Sequence, residues 1–285
     1  MKKMLCLLLV LMTLIPCVCI AEEESDPWAL PMDFTFPNYQ PDPNGFTDMS
    51  YHDDTLDITV EMTSWQGTKF YIARVKVASP TQLRTAIAGK PNVSSKELPS
   101  IMGRKMNAVL TINGEYYTQR TQDIFIYRQG FMFRNDPDRV KDVLIIDSKG
   151  DFHIFTSENK KQEIQEFLDA GNVVYQAFSF GPALIANGEK VKYRKEYYFY
   201  PEDRTWRTFI AQDGPLSYVC VISEGSTHRE LADFAETLNL QAAYNLDGGQ
   251  SSVMIFNNKY VGNRKKDTER EQSDIIYFVT AIPNE

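Results

Sequence analysis

The stretch YNLDGGQSSVMIF, residues 244–256, is where chemistry is best read from this chain. Asp247 is followed by Gly248 and Gly249, then by Gln250, Ser251 and Ser252. A carboxylate next to glycines that let a ligand approach closely, with hydroxyls a few positions on, suits a small polar ligand. Asp-Gly between apolar runs is also a strong hairpin signal. One glycine suffices for such a turn, however, and the polar run after it is a poor start to a strand.

Three further polar segments sit at expected strand ends, where binding groups are commonly placed on a rigid scaffold. Asn113-Gly114-Glu115-Tyr116-Tyr117 follows the run NAVLTI, Ser179-Phe180-Gly181-Pro182-Ala183 lies between two apolar runs, and Arg204-Thr205-Trp206-Arg207-Thr208 opens a hairpin. Each alone reads as a turn or a solvated surface; four together suggest one pocket. Other chemistries are demoted. His52, His153 and His228 are the only histidines, and no two share a metal-ligand spacing. No Gly-rich phosphate loop occurs, and Gly249-Gln250-Ser251-Ser252-Val253 lacks the second glycine of a nucleophile elbow.

The elements that must position these residues follow from periodicity. Residues 57–62 and 69–77 alternate as half-buried strands, and further strands are expected at 107–112, 131–133, 143–147, 151–155, 172–180, 182–191 and 274–282. Residues 207–222 read as a hairpin turning at Asp213-Gly214. One helix is expected over 158–170, capped by Ser157 and stopped by Gly171, and a second over 228–240, opened by a Thr227/Glu230 capping box. The fold class is α+β: a mixed, mainly antiparallel sheet with a few helices packed on it, in a single domain over 57–285.

Residues 1–21 read as a signal peptide, with Lys2 and Lys3 ahead of an apolar run too short to favour spanning a bilayer and small residues before a cleavage point at Ala21. The protein is therefore expected to be secreted or extracytoplasmic, with no stable transmembrane segment after cleavage. Lipoprotein anchoring at Cys17 or Cys19 is disfavoured because Pro16 and Val18 precede them. Without Lys2 and Lys3, 28 basic against 38 acidic residues leave a net charge of −10, which argues against nucleic acid as a partner. Cys220 alone remains outside the leader, so packing must hold the domain. Residues 22–56, with Pro27, Pro31, Pro37, Pro41 and Pro43, read as an extended arm whose Trp28, Phe34, Phe36 and Tyr39 pack along the domain surface.

NGEYY, SFGPALI, the Arg204/Arg207-Thr208 segment, NLDGGQSS and Glu269-Arg270-x-x-Ser273-Asp274 resemble, in order and spacing, the phosphodiester glycosidase family over about residues 65–283. Trp206 and Phe209 depart from the family pattern, and Glu115 matches it only in part. The resemblance implies hydrolysis of a sugar-1-phosphodiester in a carbohydrate or glycoconjugate, with Asp247 as principal carboxylate, Glu115 as a second acid/base or metal-binding group, and Arg207, with Arg204, clamping phosphate. It places Asn113, Gly181, Thr208, Asn245, Gly248, Gly249, Ser251, Ser252 and Arg270 around the substrate. The reading makes no cofactor certain; Asp247 and Glu115 have the oxygen donors for a divalent cation, Ca²⁺ or Mg²⁺. The rival readings are a non-catalytic glycan-binding or envelope-structural module on the same fold, and a metal-dependent phosphodiesterase.

Overall fold

The computed structural model describes residues 37–89, 95–115, 125–137, 141–156, 158–192, 202–264 and 268–283. The expected signal peptide, the arm up to residue 36, the Ser157 cap and Tyr116-Tyr117 lie outside the described residues.

Alternating strands build the largest sheet. In β2 (Leu56–Trp65), Leu56, Ile58 and Val60 turn inward and Asp57, Thr59 and Glu61 outward, the period of two that one buried face demands. β2 lies between β1 (Ser50–His52) and β3 (Thr68–Val77), and the sheet continues through β14 (Ser217–Ser226), β13 (Thr205–Gly214), β15 (Ala242–Asn245), β11 (Ala183–Ala186) and β12 (Glu189–Lys190). A second sheet has the order β7 (Phe131–Asn135), β6 (Phe125–Arg128), β10 (Val174–Phe178), β8 (Val143–Asp147), β9 (Phe152–Phe155). A third runs β17 (Lys259–Tyr260), β16 (Met254–Phe256), β5 (Leu110–Asn113), β18 (Asp274–Phe278), β4 (Leu83–Ile87). Every described pairing is antiparallel, so the sheets carry no parallel element. Among the described residues the α-helices are α1 (Pro99–Lys105), α2 (Lys160–Asp169) and α3 (His228–Glu236), which makes the α+β class plain.

The central core joins inward residues of all three sheets, among them Val60, Tyr71, Ile210, Ile222, Tyr244, Leu246, Met254, Leu110, Ile276 and Leu144. The outer face of the largest sheet is covered by α3, whose Leu231 and Phe234 join Phe70, Phe209 and Val221. Burying each of those two side chains contributes roughly 1.5–3 kcal/mol. The Thr227/Glu230 capping box is present on α3, as the sequence pattern predicts.

Three expectations change. The 207–222 hairpin forms, but Gly214 pairs with Ser217, so the turn lies at Pro215-Leu216 and Leu216 takes a φ of 52°. The sheet begins at Ser50, inside the segment read as an arm, and Tyr51 is fully buried in the core. Strands β15 and β16, on either side of Asp247-Gly248, belong to different sheets, so the segment is a crossover and not a hairpin. Asp247 therefore stands where two sheets converge.

Candidate functional site

The crossover is fastened by Asn113 at the end of β5, a residue with no solvent exposure. Its Oδ1 accepts from Thr208 Oγ1 at 2.8 Å and from the Val253 backbone N–H at 3.1 Å. Its Nδ2 donates to the backbone oxygens of Asp247 at 2.8 Å and Gly114 at 3.1 Å. All four hydrogen-bonding positions of the amide are thus engaged. Asn113 consequently ties β5 to β13 and to the crossover at Asp247 and Val253, and so sets the position of Asp247. Thr208 Oγ1 also lies 2.9 Å from Ser252 Oγ, and both residues are fully buried. Ser251 is buried as well, its carbonyl accepting from Gln272 Nε2 at 2.7 Å.

Asp247 itself is half-buried, and its Oδ1 accepts the Gly248 N–H at 2.8 Å. Gly248 lies between the Asp247 carboxylate and the Arg207 guanidinium. A Cβ there would stand 3.1 Å from the Trp206 carbonyl oxygen, 3.6 Å from Arg207 Cδ and 3.7 Å from a terminal nitrogen of Arg207. The backbone next to Asp247 therefore lies within the reach of one added methyl group of the Arg207 side chain. Residues far apart in sequence share one place because β13 and β15 are neighbours, with Phe209 opposite Asn245 and the Leu246 N–H donating to the Thr208 carbonyl.

Arg207 is buried and held by uncharged acceptors: the Asp203 carbonyl at 3.0 Å, the Ser226 carbonyl at 3.3 Å and His228 Nε2 at 2.8 Å. For Nε2 to accept, His228 must carry its proton on Nδ1 and be neutral. Burial, the Arg207 charge and the nearby Lys141 charge all push its pKa down, to about 3. The same two cations make this corner a favourable place for an anion. His228 reads from sequence as the first turn of a helix and Lys141 carries no sequence signal; the β13–α3 contact that gives both their meaning is tertiary.

Other expected residues divide. Asn245 is buried and donates from Nδ2 to the Gly181 carbonyl at 2.8 Å, so it braces the cis Gly181-Pro182 loop beside β15. Gly249, with φ 63°, takes the left-handed conformation that favours glycine, and its carbonyl accepts from Arg264, whose guanidinium lies 4.5 Å from the centre of the Trp206 ring. Arg204 is turned elsewhere: it pairs with Glu230 of the α3 capping box and donates to Thr68 Oγ1 at 2.7 Å. Arg270 is exposed, next to Glu269, whose carboxylate holds Ser100 and the Tyr260 hydroxyl.

Glu115 follows Asn113-Gly114 but enters a different environment. It is buried, with Oε1 accepting from Arg128 at 2.8 Å and Oε2 from the Ser179 N–H at 2.7 Å. Arg128 also donates to Asp274 Oδ2 at 2.7 and 3.2 Å, and its guanidinium lies 4.3 Å from the centre of the Phe178 ring. Burial pushes Asp274 up to about 7, against the pull of Arg128 and with the help of the Glu115 charge. Each Glu115 oxygen thus has one protein donor, and among the described residues no three His, Cys, Asp or Glu side chains form a metal-binding group.

The profile of a family described as phosphodiester glycosidase matches residues 106–279. Among solved structures, the chain is similar to the catalytic domain of zebrafish N-acetylglucosamine-1-phosphodiester alpha-N-acetylglucosaminidase auto-inhibited by its pro-peptide, with 19% identity, a TM-score of 0.59, and coverage of 82% of this chain and 87% of that one. It is also similar to a hypothetical protein from Synechocystis at 15% identity and a TM-score of 0.58, covering 80% of this chain and 62% of that one. A putative exported protein from Burkholderia pseudomallei is a more distant likeness, at 12% identity and a TM-score of 0.48, with 75% of each chain covered. No curated protein matches the sequence.

Proposed function

Because the chain belongs to the phosphodiester glycosidase family, we propose that it hydrolyses the bond between the anomeric carbon and phosphate of a sugar-1-phosphodiester, with Asp247 and Arg207 as the working pair. The observation that carries this reading is the closeness of the Gly248 backbone, next to the half-buried Asp247 carboxylate, to the Arg207 side chain, which a single added methyl at Gly248 would touch. Arg207 binds the diester oxygens, in a field that Lys141 reinforces. As the C1–O bond breaks, its electron pair leaves on the phosphate oxygen and positive charge develops on the sugar ring, where the Asp247 carboxylate stabilises it. Water supplies the oxygen that ends on C1 and the proton that ends on the phosphomonoester. Phosphate is a good leaving group, so no strongly tuned general acid is needed. Glu115, sealed by Arg128 and Ser179, serves position and not proton transfer.

The test is release of free sugar and phosphomonoester from a hexose-1-phosphodiester by the purified protein. Asp247→Asn is expected to abolish measurable turnover and Arg207→Ala to lower kcat/KM by about 10²–10³, each with the fold intact. Wild-type turnover in either variant would remove that residue from the reaction, and binding without product release would establish the glycan-binding reading instead. Turnover is expected to survive chelator, since Arg207 and Lys141 supply the positive charge. Export through the 1–21 leader belongs to the same proposal, and a mature N-terminus at Glu22 would establish it.

A further inference from the structure

Two consecutive glycines follow Asp247, and glycine gives up more conformational freedom on folding than any other residue. A carboxylate carried on such a segment keeps one position only if the backbone around it is fastened. Before the glycines, Asn113 Nδ2 holds the Asp247 carbonyl at 2.8 Å. After them the fastening comes from Arg264. Its guanidinium donates to the Gly249 carbonyl and lies 4.5 Å from the centre of the Trp206 ring, while the Trp206 carbonyl oxygen would stand 3.1 Å from a Cβ on Gly248. Gly248 thus lies between two anchors, and its N–H is the one that donates to Asp247 Oδ1 at 2.8 Å.

Arg264 reaches Gly249 from a loop that is itself fixed. Gly262, with φ 78°, lies so close to the Tyr71 ring that a Cβ would stand 2.7 Å from it, and the Tyr71 hydroxyl donates to Glu224 Oε1 at 2.7 Å. Glu224 also accepts from the Asn263 backbone N–H at 3.3 Å and from Asn263 Nδ2 at 3.0 Å. Tyr71 of β3 and Glu224 of β14 therefore set residues 262 and 263, and Arg264 is the next residue along. Its own partners are a carbonyl and an indole. Among the described residues no carboxylate pairs with it, and burial lowers its pKa. A carboxylate would compete for the guanidinium with the stronger, charge-assisted bond; here the guanidinium stays on the Gly249 carbonyl.

We propose that Arg264, seated on Trp206, is a positioning residue for Asp247: it closes the glycine segment at its second end, as Asn113 closes it at the first, and so keeps the carboxylate in the geometry that turnover needs. The inference rests on the hydrolytic reading above and deepens it. Trp206, which departs from the family pattern, gains a role as the platform of this clasp. Arg264 touches no reacting atom in this role, so its loss is felt in kcat and not in KM.

Arg264→Met keeps an unbranched stem against Trp206 and deletes the donor, whereas Arg264→Lys keeps a donor; Arg264→Ala stands in if the first fails to fold. With a hexose-1-phosphodiester as substrate, Arg264→Met is expected to lower kcat by about 10–10²-fold, the scale of a small misplacement of a reacting group, with KM unchanged, and Arg264→Lys to recover most of the loss. Amide hydrogen exchange gives a readout independent of turnover. The Gly248 N–H, and the Ser251 N–H that donates to the Gly248 carbonyl at 3.1 Å, are expected to exchange about tenfold faster in Arg264→Met and near the wild-type rate in Arg264→Lys, while the amides of β3 and β14 keep their protection. A raised KM with kcat unchanged would make Arg264 a substrate contact and overturn the proposal. So would an unchanged kcat, a fall in kcat with Gly248 exchange unaltered, or a loss of protection that spreads over β3 and β14. If wild type cleaves no diester, the hydrolytic reading fails and exchange decides the clasp alone: faster exchange at Gly248 in Arg264→Met, restored in Arg264→Lys, upholds it, and unaltered exchange removes it.

Discussion

Around Arg128 two carboxylates share one guanidinium in a place closed to water; around Arg207 a guanidinium is held by two carbonyls and a neutral imidazole, with a carboxylate half open to solvent close by. The residue types are the same and the surroundings differ. Glu115 and Asp274 are buried against Arg128 and hold it and the Ser179 backbone in place, whereas Arg207 stands close to the half-exposed segment that carries Asp247. Acidic and basic residues near a motif are therefore sorted into structural and chemical roles by their partners and their burial.

The comparison breaks most visibly if Arg128 is removed. Arg128→Met is expected to cost about 3–5 kcal/mol of stability, because two buried carboxylates lose their counter-charge; urea unfolding reads it, and an unchanged midpoint would dissolve the contrast. Arg207→Ala should show in turnover, with kcat/KM falling by about 10²–10³, the usual loss when one preorganised donor to developing charge is deleted, and with a smaller stability loss of about 1–3 kcal/mol from the acceptors it leaves unpaired.

The two clusters should also tilt stability with pH in opposite directions. Asp274 is pushed up to about 7 from an unfolded value of 3.8, so the folded state holds its proton more tightly and stability falls as pH rises from about 4 through 7. His228 is pushed down to about 3 from 6.5, so the unfolded state binds the proton more readily and stability falls as pH drops below 6.5. Unfolding midpoints between pH 4 and 8 should accordingly lose their alkaline decline in Asp274→Asn and their acidic decline in His228→Gln, each on the order of 1–3 kcal/mol. The smallest effect is expected at Arg204. Its pair with Glu230 is half-exposed, so Arg204→Ala should change stability by less than about 1 kcal/mol and leave KM for the diester unaltered; a large rise in KM would return Arg204 to the phosphate clamp.

The legible parts of the molecule were those with local causes. Period-two alternation in β2 and β3, the capping box of α3 and the Asn187-Gly188 turn are each written within a few residues. α1 had no such signal. Its N-cap, Leu98, contributes no side-chain hydrogen bond, and the Ser100 N–H is instead capped at 2.8 Å by Glu269, 169 positions away. β6 likewise gave no hint that Arg128 would turn inward to two acids.

From the sequence alone came the α+β class, the Asp247-Gly248 segment as the centre of interest, and the family resemblance, because glycine, capping and alternation act through neighbours along the chain. Tertiary structure alone decided that Asp247 bridges two sheets and not a hairpin, that Asn113 is a fastener, that Arg207 and not Arg204 meets Gly248, and that Glu115 is sealed. Those outcomes depend on which strands become neighbours and on which polar atoms are already satisfied when they do, and both are set by contacts between elements, over separations from 13 positions between Glu115 and Arg128 to 134 between Asn113 and Asp247.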